Sequence, residues 1–203
     1  FYPPTKGSVI WREEDITKLP VHARVQRGIA RTFQLTGLFM DATVYENVYS
    51  GYHRNYEIGP VGQFFHTSAA RKERKTCSQK TIEVLEFMGL SSLRYEIARN
   101  LPYGHQRILG VCIALATKPT LLLLDEPVAG MNAEETMMMV SLIRKVRDRG
   151  VTILLVEHDM AAVMNLCERI TVLDNGRKIA EGPPEEIRKN ARVIEAYLGR
   201  EEG

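Results

Sequence analysis

The sequence has no apolar run near the roughly 18 residues that a membrane-spanning helix needs, and it contains no signal-peptide pattern. If the protein works at a membrane, it must dock onto another subunit. Cysteine is scarce: Cys77, Cys112 and Cys167 stand far apart, without a C-x-x-C pair. This excludes the usual metal-ligand spacing and an even disulfide framework, and points to buried or idle thiols in a reducing cytoplasm. Neither charge sign dominates, with 27 Lys and Arg against 25 Asp and Glu, net +2. The charges are interspersed, and the basic stripe of a nucleic-acid binder is missing. There is no internal repeat and no low-complexity segment. The apolar share of 44% is ordinary for a globular chain of 203 residues, enough for one large domain or a domain with a subdomain.

What is present reads as helices and strands punctuated by turns. Ser8–Trp11 carries a strand signal followed by a charged turn, Leu19–Gly28 a short helix closed by Gly28, and Ile29–Phe33 a strand ending in Gln34. Val44–Tyr52 has helical spacing. Arg54–Thr67 has none and holds Gly59, Pro60 and Gly62, so a loop is expected. Ser68 can cap a helix running to Met88, which Gly89 ends. Further on the pattern becomes α/β. A helix is expected over Gly104–Ala116, stopped by Lys118-Pro119. Leu121–Leu124 lacks alternation, which predicts a strand buried on both faces, as in a parallel sheet. Asn132 can cap a helix with Glu134 and Glu135 in its first turn. Val151–Val156 reads as a second buried strand, Asp159 as the next cap, and Asn175-Gly176 as a hairpin turn between two strands. Pro183–Leu198 closes with one or two surface helices. Met137, Met138 and Met139 read as part of a helix-core stripe rather than a binding surface.

Ligands bind open parallel sheets at the carboxyl ends of the strands. Here two apolar strands end in polar residues, Asp125-Glu126-Pro127 and Glu157-His158-Asp159. Carboxylates after four leucines are expensive to bury unpaired. One reading is a helix-capping turn; the other is a Mg-nucleotide site. In the second, Asp125 holds Mg²⁺, Glu126 orients and deprotonates the attacking water, and His158 donates to the γ-phosphate and steadies the base. About twenty residues before Asp125, Leu101-Pro102-Tyr103-Gly104-His105-Gln106-Arg107 opens a helix. A helix start can bind phosphate, although an ordinary loop-to-helix junction has the same look.

In this order, Thr32-Phe33-Gln34, the run Leu101 to Arg107, Asp125-Glu126, Ala129-Gly130-Met131-Asn132 and His158 resemble the ATP-hydrolysing subunits of ABC transporters. The resemblance covers essentially the whole chain. Leu-Pro-Tyr-Gly, Ala-Gly-Met-Asn, Gly-Ile-Ala-Arg-Thr-Phe-Gln and the tail through Val-Ile-Glu-Ala-Tyr-Leu-Gly are similar to the branched-chain amino acid importers, and to the larger of their two ATPases. A urea or lipopolysaccharide system, or a non-hydrolysing regulatory ATP-binding module, stays open beside that assignment.

The resemblance implies an α/β fold with a P-loop NTPase-type parallel sheet and an inserted helical subdomain. Residues 1–43 would be the partial N-terminal part of the core with the Q-loop, 44–100 the helical subdomain, and 101–203 the remainder of the core. It implies ATP and Mg²⁺ as cofactors. Gln34, Glu126 and His158 would be catalytic, and Asp125 and Gln34 would serve the metal. Tyr103, Gly104, His105, Gln106 and Asn132 would contact nucleotide. The implied partners are permease membrane subunits and a second ATPase subunit, with no nucleic acid, and the implied place is the inner face of the plasma membrane.

The sequence also departs from that pattern. No G-x-x-x-x-G-K-[ST] occurs, and the opening Phe1-Tyr2-Pro3-Pro4 reads as a turn leaving an element N-terminal to it. The chain is therefore expected to be a fragment with weak ATP binding by itself. Pro102 stands where the signature usually has serine. Gly110 and Ile113 stand where relatives carry Glu and Arg, and a helix-interior Gly costs up to about 1 kcal/mol.

Overall fold

The computed structural model describes residues 4–32, 37–52 and 68–198. They form two compact units, residues 1–125 with 146–154 and residues 126–145 with 155–203.

The first unit opens with a hairpin of β1 (Ile10–Trp11) and β2 (Glu14–Asp15). Arg12 and Glu13, both at positive φ, make the charged turn between them. Helix α1 (Val21–Gln26) ends before Gly28. Gly28 has φ +82, and a Cβ there would lie 2.6 Å from Thr120 Oγ1. The close approach lets Gly28 O accept from the N–H groups of Thr120 and Leu121, so that β3 (Ile29–Arg31) enters beside β4 (Leu121–Asp125). The two strands are parallel, with Ile29 opposite Leu121 and Arg31 opposite Leu123. β4 is the middle strand of a three-stranded sheet in the order β3-β4-β5, β5 being Thr152–Val156.

Three helices pack in the same unit: α2 (Val44–Tyr52), α3 (Ser68–Phe87) and α4 (Tyr103–Ala116). Thr43 and Glu46 cap α2 reciprocally, Thr43 Oγ1 accepting from Glu46 N–H at 3.1 Å and Glu46 Oε2 from Thr43 N–H at 2.8 Å. Val44, Val48 and Tyr52 are buried on one face of α2, and Leu109, Cys112 and Ala116 on α4. The contact is close at Gly51, where a Cβ would meet Ala116 Cβ and Ile113 O at 2.8 Å each. Gly89, at φ +75, ends the turn after α3. Cys77 and Cys112 are buried free thiols, and burial pushes the Cys112 thiol far above its ordinary value.

In the second unit, α5 (Ala133–Asp148) starts from an Asn132–Glu135 capping box, and from Val146 on it belongs to the first unit. β5 likewise passes into the second unit at Leu155. Asp159 caps α6 (Met160–Leu166), its Oδ1 accepting from Ala162 N–H at 2.9 Å. β6 (Ile170–Asp174) and β7 (Arg177–Gly182) form an antiparallel hairpin through Asn175 and Gly176, both at positive φ. Short helices α7 (Pro184–Ile187) and α8 (Ala191–Leu198) close on it. Val163, Ile170, Val172, Ile187 and Val193 form the core there.

Two expectations are corrected. β5 is not buried on both faces: Leu154 and Val156 are 57% and 60% exposed. Among the described residues the strand is covered on one side, and a continuous apolar run does not by itself say which faces have cover. Of the three methionines, only Met139 is in the core; Met137 and Met138 face solvent, because adjacent helical positions point about 100° apart. The expected loop over Arg54–Thr67 lies outside the described residues. No helix among the described residues is long and apolar enough to cross a membrane.

Candidate active site

Asp125 is the last residue of β4, at the carboxyl end of a parallel pair. Strand register places it near Arg31, the last residue of β3, and Arg31 Nη2 donates to Asp125 Oδ2 at 2.8 Å. Both side chains are partly exposed. Thr32 continues the pairing, its N–H donating to Leu123 O at 3.0 Å. Gln34 lies outside the described residues.

In the second unit, Glu126 N–H donates to Val156 O at 2.8 Å, which ties the residue to the end of β5. Glu126 has φ +47. A non-glycine residue there costs on the order of 1–2 kcal/mol and persists only where its surroundings enforce it. The Glu126 carboxylate is partly exposed, and its Oε1 lies 3.5 Å from Nδ1 of His158. At that distance the contact is loose. The His158 ring is 69% exposed. Two strand ends separated by more than thirty residues of sequence thus bring the expected base and the expected histidine together.

The beginning of α4 holds the residues that resemble the signature. Pro102 is its N-cap, and the intrahelical ladder starts with Gln106 N–H to Pro102 O. Gly104 is buried and His105 is half-buried. The Gln106 amide turns back to Leu101 O at 2.9 Å. Tyr103 Oη accepts from Arg107 Nε and Nη2 at 3.0 and 2.7 Å, with the guanidinium also over the ring. Asn132 Oδ1 serves the α5 cap, accepting from Glu135 N–H at 3.0 Å.

Reading the sequence missed two neighbours of these residues. Arg31 was visible only as part of a motif, since its partner depends on strand register. Glu157 was visible only as a neighbour of His158. It carries a side chain that is 1% exposed, and a carboxylate directly after an apolar strand was the available signal.

The donor set suits Mg²⁺ better than a caged metal. Asp125 offers a hard, partly exposed oxygen at a strand end, and no cluster of three or more His, Cys, Asp or Glu occurs among the described residues. Mg²⁺ is commonly held by one or two carboxylates with phosphate oxygens and water.

A parallel strand pair ending in Arg31 and Asp125, with helices packed in the same unit, is the arrangement of an α/β protein. Residues 1–129 match the family described as ABC transporter, and residues 177–203 the family described as branched-chain amino acid ATP-binding cassette transporter. The chain is 39% identical over 98% of its length to the high-affinity branched-chain amino acid transport ATP-binding protein BraF of Pseudomonas aeruginosa, and covers 78% of it. It is 40% identical, with the same coverage, to the corresponding protein LivG of Salmonella typhimurium. The lipopolysaccharide export system ATP-binding protein LptB of Haemophilus influenzae is 30% identical over 97% of this chain and 76% of its own. A solved ATP-binding cassette of an ABC transporter in its ADP conformation superposes with a TM-score of 0.80, at 29% identity, covering 96% of this chain and 78% of that one. The chain belongs to the ABC transporter ATP-binding family.

Proposed function

We propose that the protein is the ATP-hydrolysing subunit of an importer for branched-chain amino acids, working on the cytoplasmic face of the plasma membrane. The observation that carries the catalytic part is the approach of His158 Nδ1 to Glu126 Oε1 at 3.5 Å, at the ends of two different strands. The substrate class rests on the relatives and on the C-terminal match, residues 177–203. That match weighs against lipopolysaccharide, whose export protein is less similar.

In this reading ATP with Mg²⁺ supplies the γ-phosphoryl group that is transferred to water. Asp125 would hold the metal, with the Arg31 guanidinium beside it competing for the same carboxylate. Glu126 accepts the proton of the attacking water, and His158 keeps that carboxylate in place and provides a donor toward phosphate. Gln34 reports the presence of the γ-phosphate. Tyr103, Gly104, His105 and Gln106 at the start of α4 serve the nucleotide of a second ATPase subunit, where helix-start N–H groups favour phosphate, and Asn132 is assigned to nucleotide as well.

Coupling to permease subunits is assigned to the region around Gln34 and to the block 44–100, taken as the helical subdomain set between the core segments 1–43 and 101–203. Two loops of the first unit are laced together there. Val44 and Tyr45 N–H donate to Glu96 and Arg94 O, and Ala98 and Arg99 N–H donate to Ala42 and Met40 O. Asp41 and Arg99 form an ion pair across them. On this braced pair Phe39, Met40, Tyr95 and Ile97 are exposed, an apolar patch suited to a partner.

The test is Mg²⁺-dependent hydrolysis by the protein joined to a glycine-rich phosphate loop N-terminal to Phe1. Turnover is expected with the loop and little without it. Vigorous turnover by the 203-residue chain alone would remove the need for that loop. Cysteines at Phe39 and Tyr95 should cross-link to a permease subunit. Cross-links confined to α5 or the C-terminal tail would move the coupling surface elsewhere.

A further inference from the structure

We propose that Glu157 is the positioning residue that locks the loop of Glu126 and the loop of His158 into one arrangement. This rests on the assignment of Glu126 and His158 to the catalytic site. The Glu157 side chain is 1% exposed, and an ionised carboxylate is removed from water at a cost of several kcal/mol unless its oxygens are satisfied. Its oxygens are satisfied by two separate loops. Oε1 accepts from Val128 N–H at 3.0 Å, two residues beyond Glu126. Oε2 accepts from His158 N–H at 2.9 Å and Asp159 N–H at 3.3 Å. The same Oε2 lies 3.8 Å from His158 Nδ1, so one ring nitrogen is within 4 Å of both the Glu157 and the Glu126 carboxylates.

This arrangement is more than the capping of a helix. Asp159 already caps α6 through Ala162 N–H, so Glu157 is not needed for that. Glu126 sits at φ +47, and such a backbone persists where its surroundings hold it. One tie is its own N–H to Val156 O, and the other is Val128 N–H to Glu157. The carboxylate is the only common side-chain group able to accept from both loops at once. A glutamine would turn an NH₂ toward a backbone N–H, and an aspartate is a methylene too short to span them.

The experiment is NMR on the 203-residue chain, without nucleotide. In the wild type, Glu126→Gln should shift the His158 ring resonances, because the two groups are in contact. In Glu157→Gln and in Glu157→Asp, adding Glu126→Gln should leave those resonances unmoved. The amides of Val128, His158 and Asp159 should exchange on the order of ten- to a hundredfold faster, while Leu122 and Leu124 keep their protection. A merely structural glutamate would lower the melting temperature without uncoupling Glu126 from His158. Persistence of the Glu126 effect in both variants, or unchanged protection at Val128, overturns the proposal. If neither variant folds, the wild-type amides of Val128, His158 and Asp159 decide: a common opening rate supports the lock and independent rates overturn it. Loss of the ATPase assignment would show separately, as full turnover in Glu126→Gln joined to a phosphate loop.

Discussion

Asp125 and Glu126 are consecutive in the chain and are held in opposite ways. In the first unit Asp125 ends a paired strand in extended backbone, and its carboxylate is engaged by the Arg31 guanidinium at 2.8 Å. In the second, Glu126 is turned into the left-handed region, and its carboxylate meets the His158 ring at 3.5 Å. Asp125 has a charged partner at hydrogen-bond distance, whereas Glu126 has a looser neighbour and a backbone tied to the adjoining strand end. Two consecutive acidic residues thus have two distinct environments, which is what the proposed division of roles requires.

The largest effect expected from breaking this contrast is at Glu126. Glu126→Gln, joined to a phosphate loop, should lower turnover by about 10²–10⁴-fold with nucleotide binding kept, so that a closed ATP-bound dimer accumulates. Steady-state hydrolysis and equilibrium nucleotide binding, measured together, check it; unchanged turnover would remove Glu126 as the base.

Away from the strand ends, Gly51→Ala sharpens the comparison by striking packing alone. The added Cβ would meet Ala116 Cβ and Ile113 O at 2.8 Å, and should cost about 1–3 kcal/mol. Urea unfolding of the 203-residue chain reads this directly, and the His158 ring resonances should not move.

Arg31→Gln tests the other half of the contrast. The pair is partly exposed on both sides, so stability should change by no more than about 1 kcal/mol. Removing a positive charge beside Asp125 should strengthen Mn²⁺ binding by up to about fivefold, which electron paramagnetic resonance can follow. Weaker Mn²⁺ binding would mean that Arg31 orients the carboxylate more than it competes with the metal.

The smallest effect is expected at Gly110 in α4. A Cβ there meets nothing within 4 Å, and alanine removes the conformational freedom of a helix-interior glycine. Gly110→Ala should stabilise the chain by about 0.5–1 kcal/mol, read as a higher urea midpoint.

Much was legible in the sequence because it is written in short-range rules. Gly28, Gly89 and Asn175-Gly176 mark turns at positive φ where a side chain is strained, and the structure turns at each. Asn132 and Asp159 cap helices because their side chains reach the N–H three residues on. The polar residues after Leu124 and Val156 stand, as read, at the ends of β4 and β5. Burial was less legible. Leu121–Leu124 and Val151–Val156 read alike as apolar runs, yet Leu154 and Val156 are exposed while Leu122 and Leu124 are buried.

The sequence alone therefore determined element types and turn positions, since backbone dihedrals and capping depend on residues within a few positions of one another. It also determined the family, through motifs in a set order. Partnership was decided by the tertiary structure. Arg31 reaches Asp125 only because parallel register sets Arg31 opposite Leu123. His158 reaches Glu126, and Glu157 reaches Val128, only because Glu126 N–H bonds to Val156 O at the end of the neighbouring strand. Strand pairing joins residues far apart in sequence, and no local pattern encodes which of them will meet.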